Sequence, residues 1–175
     1  MQNYFQGNSK HPQHISVGAI LLNEKNEICC HHFDPQNVDF TGYWRDQNID
    51  SEFYILMRET VEPNETLEET LHRGLKEEFG AEAELVDYVG SIESHFQSKG
   101  VTIEKTTLYF ICKLKNQDAA KRSTGDVEFE SQIEWQTAEF LIPKMQAQSL
   151  KYGRTDIDES KILERININE KSVAL

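Results

Sequence analysis

The sequence predicts an α/β domain with a mixed β-sheet between helices. Three observations lead there. Short runs rich in β-branched and apolar residues, bounded by turn residues, lie on both sides of one amphipathic helix. That helix carries matching start and stop signals. Helical spacing returns only after the last strand, so the chain runs strands, helix, strands, helices.

Taken in order, "HISVGAILL" (His14 to Leu22) reads as a strand, "NEKNE" as a turn and "ICCHHF" as the returning strand of a hairpin. Residues 34–51 are polar and turn-rich and read as a loop. "EFYILM" (Glu52 to Met57) reads as a short strand and "RETVEPNE" as an irregular acidic loop. The amphipathic helix follows. Then come a strand over "AELVDYVGSIESHF", a turn at "QSKG" and a long strand over "VTIEKTTLYFICKL". Residues 116–132 read as loop, "IEWQT" as a last strand, "AEFLIPKMQAQSLKY" as a helix and "DESKILERI" as one more helical segment. The expected domain spans residues 12–175. Residues 1–11 are expected to be flexible, and "MQNYFQGN" partly resembles the remnant of a protease-cleavable tag.

A chain of 175 residues with 38% hydrophobic and 27% charged residues suits one soluble globular domain. The net charge of −12 argues against nucleic acid or an anionic membrane as a partner, because both would be repelled. Phosphate-bearing small molecules stay open if a metal supplies positive charge. No apolar run is long enough to span a bilayer and no signal-peptide pattern is present. Three cysteines, two of them adjacent, make no disulfide framework, so a cytoplasmic location is expected. The cluster "CCHH" (Cys29 to His32) could suggest zinc. Alternate residues of a strand face opposite sides, however, so at most two of the four meet on one face.

The helix is expected to start at Thr66 as N-cap, with Glu69 completing a capping box, and to stop at Gly80. Leu67, Leu71, Leu75 and Phe79 form its apolar stripe. Glu78 falls inside that stripe, where a carboxylate is costly unless paired, protonated or bound to a cation. Arg73 is spaced to pair with Glu69 or Glu77. Gly74 sits mid-helix, where glycine costs about 1 kcal/mol relative to alanine. Between residues 58 and 84 there are nine acidic residues against three basic ones. That density suits a divalent-cation site built from oxygen ligands, and equally an acidic surface.

"ETVEPNETLEETLHRGLKEEFGA" (Glu59 to Ala81) resembles a Nudix box. The family pattern is Gly, five residues, Glu, seven residues, then Arg-Glu-apolar-x-Glu-Glu-x-Gly-apolar. Glu65, Arg73, Leu75, Glu77, Glu78, Gly80 and Ala81 match it. Two positions depart: Glu59 stands where the family has glycine, and Gly74 where it has the glutamate after the arginine. A side chain at 59 is expected to project into solvent, with a turn towards the metal as the alternative.

The resemblance implies a Nudix-like α/β/α sandwich and hydrolysis of a diphosphate bond in a nucleoside diphosphate linked to another group, with magnesium or manganese. It implies Glu77 and Glu78 as metal ligands, Glu65 as an outer or alternative ligand, and Arg73 as the residue orienting a carboxylate. Glu77 and Arg73 would then be catalytic. Because residue 74 lacks its carboxylate, Glu128 and Glu130 become candidates for the general base, with Glu134 behind them. Tyr43 and Trp44 could stack a base, or pack in the loop. The alternative function is a weakly active or inactive Nudix-like nucleotide-binding module, favoured by Gly74 and Glu59. An exposed hairpin edge allows a homodimer.

Overall fold

The computed structural model describes residues 5–36, 50–98, 100–125 and 127–169. Its strands are β1 (Gln13–Leu22), β2 (Ile28–Phe33), β3 (Phe53–Ile55), β4 (Met57–Thr60), β5 (Ala81–Ser98), β6 (Val101–Gln117) and β7 (Gln132–Gln136). The helices are α1 (Leu67–Phe79), α2 (Ala138–Tyr152) and α3 (Ser160–Asn169). The sheet runs β3-β2-β1-β6-β5, with β4 also paired to β1 and β7 to β2. It is mixed, because β1 and β6 are parallel whereas the other pairs are antiparallel.

Side-chain alternation along the strands builds a layer on each face. On one face Val17, Ala19, Leu21 and Met57 meet Leu71, Leu75 and Phe79 of α1. On the other, Ile20, Cys30, Leu56 and Tyr109 meet Leu141 and Met145 of α2 and Ile162, Leu163 and Ile166 of α3. The α/β sandwich expected from the element order is the architecture found. The "CCHH" stretch divides as a strand must: Cys29 packs under α1 and Cys30 under α2. Among the described residues, no helix is long and apolar enough to cross a membrane.

Thr66 caps α1 through the full reciprocal capping box with Glu69, and Gly80 closes it in the left-handed region at φ 62°. The apolar stripe is buried from Leu71 onward, whereas Leu67 in the first turn is 39% exposed. The stretch read as one strand from Glu52 to Met57 is divided at Leu56. β3 pairs with β2, and β4 pairs with β1 from Ala19↔Met57 to Ser16↔Thr60. Arg58, Glu59 and Thr60, read as loop, therefore belong to the sheet. Between its two strand partners, Leu56 donates its backbone N–H to Glu159 Oε2 at 2.7 Å, so the step costs no buried donor. Nothing in the local sequence announces a change of partner strand.

Candidate active site

β4 enters the sheet beside α1 and sends Met57 and Glu59 onto the face that the helix covers, while Arg58 points to the other face. The short loop from Val61 to Glu65 returns the chain to the helix N-terminus. It includes Asn64 at φ 71°, a left-handed position that asparagine tolerates. These elements bring three carboxylates around Arg73. Its Nε and Nη2 form a two-pronged contact with Glu65, at 2.8 Å to Oε1 and 2.9 Å to Oε2. Its Nη1 lies 3.1 Å from Glu59 Oε2 and 3.4 Å from Glu77 Oε2. Nη2 also donates to the carbonyl of Thr60 at 2.9 Å. Glu69, the other expected partner, instead turns back to the N-cap, accepting from Thr66 N at 2.8 Å.

The electrostatics follow from these contacts. Hydrogen bonds from Arg73 pull the Glu65 carboxyl down to about 2. Glu59 goes the other way: burial raises it, with the Glu77 charge adding to the rise and Arg73 opposing it. Glu59 is therefore half-buried and held against the guanidinium, not projected into solvent as its loop-like sequence suggested. Glu77 is 38% exposed at the rim.

Glu78 lies apart from this group. It is buried, and its Oε2 sits 2.7 Å from Nε2 of His31 on β2. The far nitrogen of His31, Nδ1, lies 2.7 Å from Ser131 Oγ. Burial pushes the His31 pKa well down, with Arg122 and Arg58 reinforcing the effect, so the ring is neutral near pH 7. A neutral ring protonated on Nε2 donates to Glu78. The helical pattern showed that Glu78 needed a partner, and the partner is a member of the "CCHH" cluster 47 residues away.

Arg122 ties the segment before β7 to the end of α1. It donates from Nε to the Glu78 carbonyl at 2.6 Å and from Nη2 to the Glu128 carbonyl at 2.7 Å. Glu128 and Glu130 lie on the short 3-10 turn so anchored; Glu128 is half-buried and Glu130 exposed. The Glu128 charge is felt by Arg58 and Lys105, on the sheet face opposite α1. Glu134, on β7, holds His32 at 2.7 Å. Tyr43 and Trp44 lie outside the described residues. A cavity of about 500 Å³ opens beside Arg73 and Glu77, lined further by His72, Lys76, Lys121 and Ser123. Arg73, Lys76 and Lys121 make the lining mainly basic, with Glu77 as the carboxylate among them. Glu59, His31, Ser131 and Arg122 had no sequence signal that assigned them these contacts.

The donors suit a hard cation: Glu59 and Glu77 are carboxylates from facing elements that reach the same guanidinium nitrogen. Among the described residues, no three His, Cys, Asp or Glu side chains converge as a ready-made cage. Magnesium needs no such cage, since it commonly takes one or two carboxylates with waters and substrate phosphates.

The family profile for the NUDIX domain matches residues 12–154. Nudix hydrolase 5 of Arabidopsis thaliana is 28% identical over 101 residues, 58% of this chain but 29% of that protein. The chain thus spans less than a third of that relative. Among solved structures, a NUDIX hydrolase from Nitrosomonas europaea superposes with a TM-score of 0.61 at 13% identity, covering 89% of this chain and 88% of that one. An Ap4A hydrolase from C. elegans, solved as a binary complex, superposes with a TM-score of 0.55 at 15% identity, covering 90% and 97%. At these identities the superpositions speak for the fold.

Proposed function

The chain belongs to the NUDIX domain family, and from that premise we propose that it hydrolyses a diphosphate bond in a nucleoside diphosphate linked to another group, with magnesium or manganese. The observation carrying this reading is the meeting of Glu59, Glu65 and Glu77 on Arg73 beside a cavity lined by Lys76 and Lys121. Glu59 and Glu77 would hold the cation, whose chemistry when bound is to neutralise the diphosphate and polarise its phosphorus–oxygen bonds.

The chain's own residues supply the rest. Lys76 and Lys121 draw the diphosphate to the mouth of the cavity. Arg73, itself fixed by Glu65, orients the two carboxylates. In the reaction a water oxygen bonds to phosphorus as the bridging phosphorus–oxygen bond breaks. The water proton passes to a carboxylate, and the second phosphate ester departs. Glu128 and Glu130, on the turn that Arg122 anchors to the end of α1, are the candidates for that base, although the Glu128 charge bears on Arg58 and Lys105, across the sheet from Glu59 and Glu77.

The binding-module reading draws on one observation: the buried Glu78 carboxylate is engaged by His31 at 2.7 Å. The two readings separate in one assay. Phosphate released from a panel of nucleoside diphosphate derivatives, through a coupled phosphatase, is measured with magnesium, with manganese and with EDTA, for wild type and Glu77→Gln. Metal-dependent turnover that falls about tenfold or more in the variant supports hydrolysis. Calorimetric binding of the same compounds without turnover supports the module.

A further inference from the structure

The two departures from the box pattern occupy one volume. A Cβ added to Gly74 would lie 2.7 Å from Cβ and 3.2 Å from Cγ of Glu59, and 2.7 Å from Sδ of Met57. No side chain fits at 74 while Glu59 stands where it does, because the blocking atom is the base of the Glu59 side chain and not its flexible end. On a helix, a carboxylate at 74 would stand beside Glu77 and Glu78, three and four residues on. Glu59 reaches that region from the opposite wall.

Its carboxylate is fixed at both oxygens: Oε1 accepts from Thr60 N at 2.7 Å and Oε2 lies 3.1 Å from Arg73 Nη1. Glu77 approaches the same nitrogen at 3.4 Å. One guanidinium thus faces Glu59, Glu65 and Glu77, which leaves the group short of positive charge in a partly screened setting.

We propose that Glu59 and Gly74 are a reciprocal exchange, in which β4 supplies through Glu59 the carboxylate that α1 lacks, and Glu59 with Glu77 forms the cation-holding pair. The proposal rests on the hydrolase reading above and assigns a new residue to it. It also explains why both departures occur in one chain. Restoring a glutamate to the helix requires removing the one on the strand, and either alone leaves two carboxylates in collision or one too few.

The test uses the full chain as wild type, Glu59→Gln, Gly74→Glu and the double exchange Glu59→Gly with Gly74→Glu. Mn2+ binding is read by loss of the free-ion EPR signal, without ADP and with ADP as a diphosphate probe relative to protein-free Mn2+–ADP, and the Tm of each protein is measured. Glu59→Gln is expected to weaken Mn2+ binding about tenfold or more while keeping a cooperative melt. Gly74→Glu alone is expected to lower Tm, and the double exchange to recover both Tm and most of the Mn2+ affinity. Wild-type binding that Glu59→Gln leaves unchanged overturns the proposal alone. A double exchange no more stable than Gly74→Glu also overturns it. If wild type binds no Mn2+ even with ADP, the proposal and the hydrolase reading fall together.

Discussion

Nε2 of His31 lies 2.7 Å from Oε2 of Glu78, with both side chains buried, so the carboxylate inside the apolar stripe of α1 is satisfied from β2. Removing either partner takes a 2.7 Å contact from the other in a dry environment. His31→Ala is expected to cost about 3 kcal/mol, as for other buried charged groups that lose a partner. His31→Ala combined with Glu78→Leu should cost less than the sum of the two single changes. Urea denaturation of the three variants measures both. Additive losses would show that the pair is not coupled.

Gly74 makes a packing prediction of unusual sign. Alanine normally stabilises a helix interior by about 1 kcal/mol over glycine. Here its methyl would lie 2.7 Å from Glu59 Cβ and Met57 Sδ. Overpacking of this kind costs about 1–3 kcal/mol, so Gly74→Ala should lower Tm, not raise it. Combining it with Glu59→Gly should reverse much of the loss.

Arg73 is bound by geometry as well as charge. Its fork grips Glu65 at two points while Nη1 reaches Glu59 and Glu77. A lysine cannot reproduce that fork. Arg73→Lys is expected to lose about 1–3 kcal/mol of stability and to weaken metal binding, although the charge is kept. Calorimetric melting with and without magnesium checks both effects.

Glu65 sets an acid limb. Arg73 holds its carboxyl at about 2, below the ordinary 4.5. A folded-state pKa below the unfolded one means that the stabilisation is complete above pH 4.5 and is lost as pH falls towards 2. Glu65→Gln cannot titrate, so its Tm should fall less steeply than that of wild type across this window. Parallel Tm profiles would show that the Arg73–Glu65 contact carries no linkage.

The main outline was legible because it is written in short-range periodicities. The caps at Thr66 and Gly80, the buried run from Leu71 to Phe79, the β1 and β2 hairpin partners and the spacing from Glu65 to Gly80 all depend on residues a few positions apart. Even the need for a partner at Glu78 could be read from the helical stripe alone.

What the tertiary structure decided lies across long sequence separations. That the partner is His31, that Arg122 joins the end of α1 to the turn carrying Glu128, and that β4 leaves β3 to pair with β1 are consequences of sheet order. No local pattern encodes these contacts. The Glu59–Gly74 relation shows the division most clearly. The sequence by itself marked both residues as departures from a spacing. Only the approach of β4 to α1 shows that they fill the same space, because Glu59 and Gly74, 15 residues apart in the chain, come so close that a Cβ on residue 74 would lie 2.7 Å from Glu59 Cβ.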